Sequence, residues 1–211
     1  MNNARYGKLT GGLIAAWFVF ALSASALHVF KTDPSLPPLA LGLAVVIPIA
    51  AFLIWFATSS GFREFALSLS PRTLTYVHSW RIAGLTFLAL YAAGLLPGIF
   101  ALPAGLGDIA IGATAPWAAI KLANFGRRRA FMFWQIVGIT DLVTAITLGT
   151  TAGLISPHEV PTALMTVLPM SLIPTFAVPL LVVLHIICIA QARKWKNEVH
   201  ARLRQQVPLS A

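Results

Sequence analysis

An aspartate buried in an apolar run is the position in this chain best placed to do chemistry. Asp141 lies about ten residues into the run 131–155, roughly 15 Å along it at helical rise. A charged Asp at such a depth costs ~2.5–3.5 kcal/mol on insertion scales, so it must face protein, find a partner or carry a proton. On a helix it shares a face with Gly138, Thr144 and Ala145, a narrow, mildly polar surface suited to close packing or to a cavity. His185 in the run 170–190, Gln135 and Arg81 fall in the same third of the membrane thickness. An Asp near a His can hold or pass a proton. Arg81, Gln135, Asp141 and His185 therefore form the candidate substrate- or proton-binding set. Each also has a plainer reading: a structural hydrogen-bond partner for Asp141, a neutral imidazole on a backbone carbonyl for His185, a snorkelling anchor for Arg81.

Toward the other face, Asp108 reads as the N-cap of a helix, or as a partner of His28 at the end of the first span. Haem b is the one cofactor these residues suggest, held by His185 with His78 or His28, with Arg81 near a propionate. The depths expected for His78 and His185 differ by roughly 10 Å, which counts against that pair. Cys188 is the only cysteine, so no intrachain disulfide, paired-cysteine redox motif or zinc–cysteine cluster can form. No nucleophile or metal-ligand set marks an enzyme.

The elements that must position these residues are membrane helices. The 211 residues are 58% hydrophobic and 10% charged, with mean hydropathy +0.82, too few charges to cover a soluble domain. The apolar residues come in long runs, which favours helices over a β-barrel. Six runs stand out, at about 9–30, 39–57, 81–100, 109–123, 131–155 and 170–190. If they alternate, 14 of the 15 basic residues lie on one side and only Lys31 on the other. The expected fold is thus all-α, a polytopic bundle of about six transmembrane helices in the plasma (inner) membrane with both termini cytoplasmic. The net charge of +9 reflects this topology, and no nucleic-acid partner is expected. Arg5 and Lys8, an apolar run and Ala24-Ser25-Ala26 also resemble a cleavable signal, whose removal would leave the other five orientations unchanged.

Local signals place the ends. Ser70-Pro71 predicts an N-cap with proline at the first helical position. Ser156-Pro157-His158-Glu159 has capping-box spacing and predicts a short interfacial helix. The Gly- and Pro-rich stretch 96–108 is apolar enough to read as a lid or re-entrant turn. Pro48, Pro169, Pro174 and Pro179 each remove a backbone donor, and the freed carbonyls must find partners. Residues 1–192 are expected to form one transmembrane domain. Residues 193–211 form a basic tail in which Trp195, Val199 and Leu203 recur every four residues and would lie against anionic lipid. Gly94/Gly98 and Gly149/Gly153 have the small-residue spacing of tight helix packing, in a homo-oligomer or with a membrane partner. Residues 80–88 align with 134–142, sharing Trp, Ile, Gly, Thr and Leu. A parallel repeat of hairpins (helices 3–4 and 5–6) would explain this, and chance likeness of apolar helices is the alternative. Three functions follow: a small-solute or proton-linked transporter first, then a b-type electron carrier, then a non-catalytic membrane subunit or assembly partner.

Overall fold

The computed structural model describes residues 3–32, 38–156 and 158–206, with side chains described as far as Trp195. Every regular element among them is helical. Five stretches are long and apolar enough to cross a membrane: Asn3–Ala26, Leu39–Thr58, Gly98–Leu122, Phe125–Ile155 and Ile173–Trp195. Large apolar side chains such as Phe20, Val46, Ile54 and Phe133 lie exposed along them, the surface a lipid-facing helix presents.

The chain folds as α1 (Asn3–Ala26), α2 (Leu39–Thr58), a short α3 (Ser60–Ser68), α4 (Pro71–Val77) and a 3-10 segment (His78–Gly84). It continues through α5 (Leu85–Ala92), α6 (Gly98–Trp117), α7 (Arg128–Ile155) and α8 (Val178–Gln206). α6 runs on through a π turn to Leu122, and a second π turn, Ile173–Ala177, leads into α8. α6 is the hub, packed against the 3-10 segment, α5 and α7, while α7 packs on α8. The start of α1 meets α3 near the 58–71 connections and Gln191 of α8 bonds the end of α3, so the first turns of α1 and the 191–195 stretch of α8 share this end of the bundle, the terminal end. One apolar cluster sits toward that end, around Phe131, Trp134, Ala115 and Ile187. Another sits toward the opposite end, around Phe87, Leu96, Phe100 and Met165.

Several sequence expectations hold. Ser70 Oγ accepts the Thr73 N–H at 3.3 Å with Pro71 at the first helical position. The carbonyl that Pro179 would have bonded, Thr175 O, accepts the Trp17 indole N–H at 3.2 Å. Thr144, Thr147, Thr150 and Thr151 of α7 return their hydroxyls to the carbonyls four residues back.

Other expectations are corrected. The third run is not a continuous helix over 81–100. Its path is α4, the 3-10 segment and α5, and it stops before Gly94, whose φ of +70° suits glycine. The stretch 96–108 is no re-entrant turn, because α6 begins at Gly98 and absorbs most of it. Gly94 and Gly98 accordingly flank a turn instead of forming a packing stripe. The 156–159 segment is a turn, not a helix, and Pro157 lies outside the described residues. Its Glu159 carboxylate accepts the Gly98 N–H at 3.0 Å, an anion at the N-terminus of α6. α8 passes residue 192 without a break, and Trp195 stacks on Phe131 at 5.6 Å instead of lying free for headgroups. Val199 and Leu203, the rest of the expected stripe, lie outside the described side chains.

Candidate functional site

The 3-10 segment builds the site. At three residues per turn, positions i, i+3 and i+6 eclipse one another, whereas an α-helix would rotate them apart. His78, Arg81 and Gly84 are accordingly the three buried residues of the segment, while Trp80, Ile82 and Ala83 are exposed. All three point into the bundle in single file. Gly112 of α6 lets this backbone approach, since a side chain there would overlap the chain at Arg81 and Ile82.

Arg81 is 3% exposed and centres a charged layer. Its Nε donates to Asp108 Oδ1 at 2.7 Å, one Nη donates to Asp141 Oδ2, and the other reaches the Gly138 carbonyl at 3.5 Å. The cation thus bridges α6 and α7, and its desolvation is offset by two carboxylates and a backbone oxygen. Room for Asp141 comes from Gly107, where any Cβ would overlap Oδ1, and room for Asp108 comes from Gly84. Asp108 is therefore neither a helix N-cap nor a partner of His28. It lies inside α6, while His28 is exposed at the end of α1 beside the Ser25 carbonyl.

One turn nearer the termini lies a neutral layer. Gln135 Oε1 meets His185 Nδ1, and Gln135 Nε2 donates to Thr75 Oγ1 at 3.1 Å. Thr75 in turn donates to the Pro71 carbonyl at 2.7 Å and sits 3.9 Å from Cys188 Sγ. The rings of His78 and His185 stack with centroids 3.9 Å apart, edged by Trp134, whose indole N–H donates to Thr114 Oγ1 at 3.0 Å. Both His78 nitrogens and His185 Nε2 are buried with no partner. Below this layer Gln191 Nε2 donates to the Leu69 carbonyl at 2.7 Å, tying α8 to the end of α3.

The predicted residues thus separate. Arg81 and Asp141 meet in the charged layer and Gln135 and His185 in the neutral one, with no direct Asp141–His185 bond. Gly138 is the seam: its carbonyl faces Arg81, and its missing Cβ admits the His185 ring. His78 and His185, expected at different depths, are in contact. Stacked so closely, they leave no plane between them for a porphyrin, and the pair does not fit two-histidine haem ligation. Among the described residues no group of three or more His, Cys, Asp or Glu is arranged for a metal ion.

A cavity of about 340 Å³ opens on the charged layer from the end opposite the termini. Its walls come from α2, α5, α6, α7, residues 161–166 and the start of the last span, and Asp108 lies on its floor. A separate pocket of about 40 Å³ shares Asp108, Phe87 and Leu142 with it and borders Arg81. Sequence reasoning names Asp108 but not its pairing with Arg81, and it misses Thr75 and Gly107. For Asp108 the available signal was an acidic residue at the end of an otherwise uncharged stretch.

A family model described as a domain of unknown function, DUF8737, matches residues 36–193. The chain belongs to this family. The match spans both polar layers and the cavity lining except Thr32, and leaves out α1 and the chain beyond 193. No curated protein and no solved structure matches the chain.

Proposed function

We propose that the protein is a small membrane transporter or permeation protein for a proton or small solute. Its binding centre is Asp141–Arg81–Asp108, and Gln135 and His185, with His78, form the barrier beneath it. One observation carries this reading: a guanidinium buried between carboxylates of two helices, one of which, Asp108, lines a cavity open to one end of the bundle. Ionisable groups inside a bilayer are expensive and mark ion or substrate paths, and transporters place such sites between irregular helical segments. The 3-10 segment is such an irregularity.

In this reading α4, the 3-10 segment and α5 make a sixth crossing. Their rise is about 36 Å, enough for a hydrocarbon core of ~30 Å. Arg81 then leaves the count of topology-setting charges, yet every other basic residue except Lys31 still falls at the terminus-bearing end. That end faces the cytoplasm of a plasma (inner) membrane by the positive-inside rule, and the cavity opens outward.

The test is flux in proteoliposomes, read with an entrapped pH dye under an imposed gradient. Wild-type protein collapses the gradient faster than empty vesicles, and Asp141→Asn abolishes the difference. Undiminished flux in Asp141→Asn would remove the role given to that residue.

A further inference from the structure

We propose that the cavity above Asp108 binds a monovalent organic cation with an apolar body, taken up in exchange for a proton. This names the substrate class of the permeation site and so rests on that reading.

Volume, lining and charge point the same way. About 340 Å³ lies at the small-molecule end of ligand pockets, which run from ~300 to 1,000 Å³. The walls are apolar, with Leu41, Val45, Ile146 and Met165 among them. Phe87 and Phe100, packed edge to face at 5.5 Å, border the space and offer ring faces to a cation.

The polar groups are what select the sign. Four hydroxyls line the cavity, and each already donates its proton to a backbone carbonyl. Thr32 donates to Phe30 O, Thr150 to Ile146 O, Thr162 to Gly149 O and Thr166 to Ala163 O. They present lone pairs, not donors. Asp108 is the one charged residue among the described lining. Among the described lining an anion finds no free side-chain donor, while an ammonium finds a carboxylate, hydroxyl oxygens and aromatic rings.

Charge balance supplies the exchange. One guanidinium and two carboxylates leave a single negative charge when all are ionised. In a low-dielectric site that charge is neutralised by a proton or by a monovalent cation, and the two compete for the same carboxylate. The charged groups facing Asp108 are Arg81 from the 3-10 segment and Asp141 from α7. α2, α5 and the 173–178 stretch bring Val45, Phe87, Ile173 and Val178 to the cavity, none of them titratable. Entry of the cation releases one proton to the bulk, and charge in the site is conserved.

The experiment is calorimetric titration of the full chain in nanodiscs with benzyltrimethylammonium, in two buffers of different ionisation enthalpy. Its neutral carbon isostere, neopentylbenzene, is titrated alongside. Saturable cation binding with proton release is expected, weakening as pH falls, and the isostere binds at least about tenfold more weakly. Asp108→Asn removes the proton release and the preference for the cation. Ala145→Leu, which fills the cavity wall and leaves all three charged residues in place, weakens the cation as well, and decides the matter if Asp108→Asn does not fold. Equal affinity for the two isosteres, or cation affinity unchanged in both variants, would overturn the proposal. Cation binding with proton release but no flux in sealed vesicles upholds the ligand and overturns the permeation reading. Asp141-dependent proton flux without saturable cation binding does the reverse.

Discussion

The two buried polar layers lie one turn apart and solve the same problem by different means. In the charged layer every partner is an ion or a backbone oxygen, the carboxylates keep 15–18% side-chain exposure, and a cavity reaches one of them, Asp108. In the neutral layer Gln135, Thr75 and His185 pair with one another, nothing is exposed, and three imidazole nitrogens stay without partners. An ion in a bilayer can be kept only if it is paired or reachable by water, whereas neutral groups can be sealed. The difference teaches where a ligand can arrive: at the charged layer, with the neutral one as its floor.

The largest effect that could break this contrast is at Arg81. Arg81→Gln leaves two carboxylates facing each other and should lower stability by ~3–5 kcal/mol, read as thermal unfolding in detergent. Adding Asp108→Asn should restore part of the loss, and a double variant as weak as the single would mean that Arg81 acts by packing alone. Next is Gly107→Ala, which drives a methyl into Asp141. A loss of ~1–3 kcal/mol is expected, with the flux defect of Asp141→Asn. Gly11→Ala, with open space where its Cβ would lie, should instead hold or raise stability by up to ~1 kcal/mol.

The neutral layer yields a sharper comparison. Gln135→Leu strands Thr75 and His185 Nδ1, for a loss of ~1–3 kcal/mol in the same melts, yet cation affinity should stay within about twofold. A fall in affinity as large as that of Asp108→Asn would merge the layers into one site. The smallest effect is at Glu159. Glu159→Gln removes a carboxylate from the α6 N-terminus and should cost ~0.3–1 kcal/mol, seen as a slight drop in melting temperature that high salt erases in the wild type.

Much of this frame was readable from residue order. Long apolar runs mark four of the five long helices, Ser70-Pro71 marks the start of α4, and Asp141 announced itself by depth. Arg81, Gln135, Asp141 and His185 stand out in the sequence as polar residues inside apolar runs, and the structure divides them between the two layers. What stayed hidden depends on backbone phase. The buried file at 78, 81 and 84 repeats every three residues, and a helix read at 3.6 sends Gly84 to another face and keeps His78 away from His185. Asp108 reads as a cap in the sequence because Pro97-Gly98 looks like loop, whereas α6 begins at Gly98, eleven residues before the run at 109, and holds Asp108 in its interior. The aligned segments 80–88 and 134–142 show the same limit: Arg81 and Gln135 correspond and both are buried, but one lies on a 3-10 turn and the other on an α-helix. Sequence likeness carries residue type across such a pair, and not rotation.

The 3-10 segment also holds length in reserve. Seven residues at about 2.0 Å rise span some 3.5 Å more than the same residues wound as α-helix. Rewinding them would draw α5 toward α4 by that amount and turn Arg81 by about 60° relative to His78. Arg81 would then leave its carboxylates while His78 kept its stack. A single backbone transition in this stretch would thus change the spacing of α4 and α5 and the direction of Arg81 together.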